Sequence, residues 1–243
     1  MSASERPGER PSERRSAARS SVVWDALHPV LGVPGLEVLD IGGGTGGFAV
    51  RVAELGHRVT VVDPSPDALA ALDRRARELG VAVNGQQGEV STLLQVTGPA
   101  SVDVVLCHGV LEVVADPAAA LATIAEVLRP GGTLSLLVAQ RHAAVIARAM
   151  AGHFQQAREL LDKADAGRSG RRFTLDEVAA LLSGTDLRVE AVHAVRVFAD
   201  LVPGSLLDLE PGATAALVEL ERAVAERPEY LPLATQLHLL ATR

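Results

Sequence analysis

Apolar positions along this chain follow two alternating rhythms. Short, mainly apolar runs at residues 36–41, 59–62, 81–83, 102–106 and 133–138 are separated by longer stretches in which apolar residues recur every three to four positions. The first rhythm predicts buried strands and the second amphipathic helices. Val22, Val23, Ala26, Leu27, Val30 and Leu31 place a lead helix ahead of the first strand. A helix over 48–55 closes at Gly56, and Pro64-Ser65-Pro66 opens another with Leu69, Leu72 and Leu79 on one face and Gly80 as its stop. Asp116-Pro117 caps a further helix running to Leu128, with proline in the first turn. Residues 129–132 read as a sharp turn, and 86–89 as the loop after the third strand. Five strands alternating with helices predict a parallel, doubly wound α/β sheet whose ligands sit at the carboxyl ends of the strands.

Beyond the fifth strand the periodicity predicts two helices, 143–151 and 154–164, and a glycine-containing loop reaching Arg172. Thr174 with Asp176-Glu177 starts a helix that Gly184 stops. A strand over 187–198, a helix over 213–226 and a last strand over 233–241 follow. Residues 1–18 are poor in apolar residues and are expected to be a disordered arm. The expected organisation is a core at 19–140, a helical insert at 141–182 and closing strands at 183–243.

The first strand carries the chemistry. Val38-Leu39-Asp40-Ile41 breaks into Gly42-Gly43-Gly44-Thr45-Gly46-Gly47, and a second acid, Asp63, ends the next run. Strand, glycine turn and helix let a backbone approach a nucleotide-like ligand where any Cβ would collide. A carboxylate about 20 residues past such glycines is placed to accept hydrogen bonds from a ribose diol. Gly42, Gly44 and Gly47 alone also satisfy the dinucleotide fingerprint. Asp40, Asp63 and the downstream Leu128-Arg129-Pro130-Gly131-Gly132 together make the chain resemble the class I methyltransferases, which bind S-adenosylmethionine.

The resemblance extends over about residues 15–243 to the bacterial tRNA 5-carboxymethoxyuridine methyltransferases, which esterify the carboxylate of a modified wobble uridine. It is carried by Ala53-Glu54-Leu55-Gly56-His57, by residues 106–117 with their His108-Gly109-Val110-Leu111-Glu112, by Val195-Arg196-Val197-Phe198-Ala199-Asp200 and by Glu229-Tyr230-Leu231-Pro232-Leu233. It implies a Rossmann-like, seven-stranded sheet with a helical insert after strand five. It also implies that Arg19 holds the methionine carboxylate of the cofactor, and that Asp40 and the Gly42, Gly43, Gly44 and Gly46 turn form the cradle. Asp63 would take the ribose, Gln87 and Gly88 the adenine, and His108 would sit near the methionine moiety. Trp24 is expected to pack rather than stack on a base. Candidate substrate anchors are Arg196 and Tyr230, with Arg171 and Arg172 as phosphate or backbone contacts. The segment from Lys163 to Arg172 is shorter and more dilute in charge than its counterpart in that family.

Composition narrows the partners. The formal net charge is −7, against a protein that coats nucleic acid non-specifically, yet residues 141–172 hold seven Arg and Lys against three acids. A basic segment on an acidic body is a candidate anion-binding face. tRNA or a small-molecule acceptor is therefore expected as partner, with no membrane and no metal. No apolar run approaches the roughly 18 residues a membrane span needs, and the start is not a secretory signal. The single Cys107, inside a strand-like run, fits a reducing cytoplasm and a buried, inert thiol. His28, His57, His108, His142, His153, His193 and His238 show no ligand spacing. An ionised carboxylate acceptor needs no general base, in keeping with the lack of a catalytic dyad. Three alternatives stay open: a small-molecule O- or N-methyltransferase of the same fold, a nicotinamide-dependent oxidoreductase, opposed by Asp40 and by the lack of a hydride-transfer dyad, and a non-catalytic cofactor-binding subunit.

Overall fold

A computed structural model describes residues 20–162, 170–209 and 212–243. Seven strands form one sheet in the order β3-β2-β1-β4-β5-β7-β6. The strands are β1 (Glu37–Ile41), β2 (Arg58–Asp63), β3 (Val83–Gln87), β4 (Val102–His108), β5 (Leu128–Ala139), β6 (Arg188–Val195) and β7 (Gln236–Thr242). β1 to β5 pair in parallel, and β7 lies antiparallel between β5 and β6. The helices are α1 (residues 20–27), α2 (Ala49–Glu54), α3 (Pro66–Leu79), α4 (Leu93–Val96), α5 (Pro117–Val127), α6 (Arg141–Met150), α7 (Phe154–Asp162), α8 (Leu175–Ser183), α9 (Gly204–Leu209) and α10 (Ala213–Val224).

Alternation along the strands splits the core between two faces. Leu39, Val105, Cys107, Leu134, Leu136 and Leu239 pack against α5 and α8. Val38, Val59, Val61, Val104 and Leu106 pack against α1, α2 and α3. The caps follow the expected chemistry. Asp116 accepts from the amides of Ala118 (2.9 Å) and Ala119 (3.1 Å), and Thr174 and Glu177 form a reciprocal capping box on α8. Burial pushes the Cys107 thiol far up, so it stays protonated.

Several boundaries differ from expectation for identifiable reasons. β3 covers 83–87 rather than 81–83, so Gln86 and Gln87 belong to the strand and not to a loop. As an edge strand it is mostly solvent-facing, so an apolar run does not mark it. β5 begins at Leu128, opposite Val102, because residues 129–132 continue the ladder across a bulge instead of leaving it. There the Gly131 amide donates to the Arg243 carbonyl (2.8 Å) and the Arg243 amide to the Gly132 carbonyl (3.0 Å). β7 starts only at Gln236, since Pro228–Leu233 winds as a 3₁₀ helix. The short α4 and α9 went unanticipated; one turn of helix leaves no readable period. Arg19 and the 163–169 part of the basic segment lie outside the described residues, as does the 1–18 arm.

Candidate active site

The carboxyl ends of β1, β2 and β4 open into a cavity of about 800 Å³. Its walls include Ile41, Gly42, Asp63, Gly88, His108 and Val110. The glycine turn sits at its floor with left-handed φ at Gly42 (65°), Gly44 (53°) and Gly46 (78°), which side-chain-bearing residues rarely adopt. Closeness also demands glycine. A Cβ at Gly42 would lie 2.8 Å from Val110, and one at Gly43 would lie 2.5 Å from the Asp40 carboxylate.

The two acids play different parts. Asp63 ties the tip of β2 to the turn: its Oδ2 accepts from the Gly44 amide (2.9 Å) and its Oδ1 from the Ser65 amide (2.8 Å). Asp40 lies on β1 beneath the glycines, only 3% exposed. Burial, with the nearby Asp63 charge, lifts its carboxyl to about 7.

Of the residues singled out in the sequence, Gly42, Asp63, Gly88 and His108 line the cavity, and Asp40, Gly43, Gly44 and Gly46 support them from behind. Gln87 departs from expectation in orientation, its Nε2 donating to the Pro64 carbonyl (3.2 Å). Trp24 packs: it stacks on Phe48 with centroids 4.8 Å apart, and the Arg51 guanidinium covers its face at 3.9 Å. Phe48 in turn meets His108 edge-on at 4.9 Å.

The candidate anchors divide. Arg196, at the end of β6 with φ 61°, pairs with Asp200 (2.6 Å) and donates to Gln236 (3.2 Å). Tyr230 packs against Phe198. Arg171 and Arg172 do not line the cavity; the Arg171 amide donates to the carbonyl of Glu112 (2.8 Å), which lies in the chain between the lining residues Val110 and Val113. Each has a buried Nη1 with no acceptor among the described residues. Burial, with Arg148 close by, holds the Arg172 guanidinium below its usual range.

Two groups escaped the sequence reading. Glu112 is a mostly buried carboxyl, raised by burial, whose Oε1 accepts from the Ala139 amide (2.6 Å). His108, His193 and His238, scattered in sequence, converge through Ser135, one polar residue on each of four neighbouring strands. The signal was a polar residue on the buried face of each strand, uninformative until the strand order is known. Among the described residues no group of His, Cys, Asp and Glu is arranged to hold a metal ion, and no helix is long and apolar enough to cross a membrane.

Comparison with known proteins agrees with this geometry. The family model described as "Methyltransferase domain" matches residues 39–136. The tRNA 5-carboxymethoxyuridine methyltransferase of Escherichia coli (strain K12) is 31% identical over 233 residues, 92% of this chain and 87% of that protein. The chain belongs to the class I S-adenosylmethionine-dependent methyltransferases. A ubiquinone biosynthesis O-methyltransferase of Xanthomonas campestris pv. campestris (strain B100) is 36% identical over 135 residues, 52% of this chain and 56% of that protein. The crystal structure of magnesium protoporphyrin IX methyltransferase from Synechocystis PCC 6803 with bound SAH superposes with a TM-score of 0.62 at 15% identity, covering all of this chain and 90% of that one, a likeness of fold. S-adenosylmethionine is the cofactor of this enzyme, and the residues present suit it: the cavity is roomy and the turn at its floor has no space for a Cβ at Gly42 or Gly43.

Proposed function

We propose that this methyltransferase transfers a methyl group to an anionic acceptor, the carboxylate of a modified tRNA wobble uridine. The observation that carries the reading is the likeness to the Escherichia coli enzyme, which runs through the glycine turn, the insert and the closing strands alike. When bound, S-adenosylmethionine supplies an activated methyl carbon and a neutral sulfur leaving group. The chain's task is then to hold the acceptor about 3–3.5 Å from that carbon and in line with it. In this reading Gly42 and Gly43 give the cofactor close backbone contact, Asp63 takes the ribose hydroxyls, Gly88 leaves room for adenine, and Arg19 holds the methionine carboxylate. Arg171 and Arg172 suit an anion best, because their buried Nη1 groups have no acceptor among the described residues. Arg196 is the weaker anchor, since Asp200 and Gln236 already engage it.

The test pairs calorimetry with S-adenosylhomocysteine and a methylation assay on undermodified total tRNA. Arg172→Ala is expected to lower turnover about tenfold or more while cofactor affinity holds. Equal loss of both, or no tRNA methylation by the unaltered enzyme, refutes the assignment. The second reading, a small-molecule O-methyltransferase, draws on the partial likeness to ubiquinone biosynthesis O-methyltransferases and on the net charge of −7.

A further inference from the structure

A line of hydrogen-bonding side chains leaves the cavity and crosses the sheet to its far edge. It begins at His108, which lines the cavity at the end of β4. The His108 Nε2 is 2.8 Å from the Ser135 Oγ on β5, and that oxygen is 2.8 Å from the His238 Nε2 on β7. The His238 Nδ1 is 3.2 Å from the His193 Nδ1 on β6. The His193 Nε2 ends 3.8 Å from the carboxylate of Glu226, an ion-pair approach to a side chain that is 83% exposed to solvent. All four inner residues replace apolar ones on the sheet face that packs against α1 and α2. Ser135 and His238 are fully buried and His193 nearly so. Four polar side chains in an apolar layer carry a desolvation cost that only their hydrogen bonds to one another offset.

The polarity of this line follows from its outer end. The Glu226 carboxylate, 3.8 Å away, favours a proton on the His193 Nε2 electrostatically, which leaves the lone pair on Nδ1. His238 must then donate from Nδ1 and accept at Nε2. Ser135 donates to that nitrogen and accepts from the His108 Nε2–H. His108 is left with its lone pair on Nδ1. Neutral rings are what the surroundings impose: burial pushes His108 down to about 4 and lowers His193, and burial with its two histidine neighbours lowers His238. The only charged group facing the line among the described residues is Glu226, at the His193 end.

We propose that His108, Ser135, His238, His193 and Glu226 form a proton wire that carries a proton from the methyl-acceptor site to solvent. It serves an acceptor that exchanges a proton for the methyl group, either a hydroxyl or a carboxyl group that enters the cavity as the acid. The acceptor oxygen uses an electron pair for its new bond to carbon, while the sulfur keeps the pair of the bond that breaks. The acceptor proton passes to the His108 Nδ1. The His108 Nε2 proton moves to Ser135, the Ser135 proton to His238, the His238 Nδ1 proton to His193, and the His193 Nε2 proton to Glu226 and water. One proton enters, one leaves, and no ring holds a lasting charge. His108 is the catalytic residue, and Ser135, His238 and His193 are positioning residues. The inference rests on the cavity being the methyl-transfer site and on an acceptor that enters it with its proton; an ionised carboxylate leaves the wire idle, and the kcat comparison below tells the two apart.

The ring protons are read directly by two-dimensional nitrogen-15 spectra of histidine-labelled protein without substrate. His108 and His193 are expected to carry their protons on Nε2 and His238 on Nδ1. Ser135→Ala is expected to abolish the His108 preference and Ser135→Thr to keep it. A proton on the His108 Nδ1, or a pattern indifferent to Ser135→Ala, overturns the wire. In methylation assays on total tRNA, phenols and small acids, Ser135→Ala should lower kcat about tenfold or more for every acceptor the unaltered enzyme uses, with KM for S-adenosylmethionine unchanged and Ser135→Thr restoring the rate. An unchanged kcat also overturns it. If the unaltered enzyme methylates nothing, the reading of the cavity fails while the spectra still decide the wire.

Discussion

Asp40 and Gly43 form a matched pair, each limiting what the other position can be. A Cβ at Gly43 would strike the Asp40 carboxyl, and the carboxyl is sealed beneath the turn by that closeness. Burial raises the folded-state value to about 7, whereas an unfolded aspartate titrates near 3.9. A raised acid holds its proton more tightly when folded. Its contribution to stability is therefore complete below about pH 4 and is lost as pH rises to about 7. Asp40→Asn cannot ionise, so urea midpoints of the unaltered protein should fall relative to this variant between pH 4 and 7. A constant difference across that window would show that Asp40 is ionised throughout. At this scale the sequence was most legible: Asp40, the glycines and Asp63 lie within 24 residues of one another, and one strand–turn–helix unit fixes their geometry. Arg196 was legible as a residue and not as a contact, because Gln236 reaches it from 40 positions away.

Among elements, α10 acts on the loop after β6 through one side chain. Glu221, 1% exposed, accepts from the amides of Val197 (3.0 Å), Phe198 (2.8 Å) and Ala199 (2.7 Å). Three donors focused on one carboxylate fix the backbone just beyond Arg196 and its left-handed φ. Glu221→Ala leaves those amides unpaired and should cost about 3 kcal/mol in urea unfolding, with Glu221→Gln costing less. A loss below about 1 kcal/mol would mean that water replaces the carboxylate freely. Nothing local announced this contact: a glutamate between Leu220 and Arg222 on an amphipathic helix reads as solvated. The histidine line was hidden for a related reason. Its members sit on four strands whose adjacency depends on β7 inserting between β5 and β6, a non-consecutive pairing that periodicity does not encode.

Over the whole molecule, charge is segregated. The body is acidic, and the described part of the insert seats Arg171 against Glu112 in the loop after β4, with Arg172 beside it. Binding of tRNA by such a surface should weaken steeply as salt rises, log Kd changing linearly with log salt, whereas a neutral small acceptor should be indifferent. Titrations from 50 to 300 mM salt, about a sixfold span, separate the two acceptor classes. The five-stranded parallel core was legible from the alternation of rhythms and the seven-stranded whole from the family resemblance; the strand borders at β3 and β5 were not, because an edge strand and a bulged ladder both escape simple hydrophobic counting. The interposed β7 also constrains how the chain is made. As it leaves the ribosome, β1 to β5 can zip up in turn, while β6 emerges with no neighbour to bind and must wait, one edge bare, until residues 236–242 arrive to bridge it. During synthesis that interval is when the nascent enzyme is most exposed to aggregation and most in need of a chaperone.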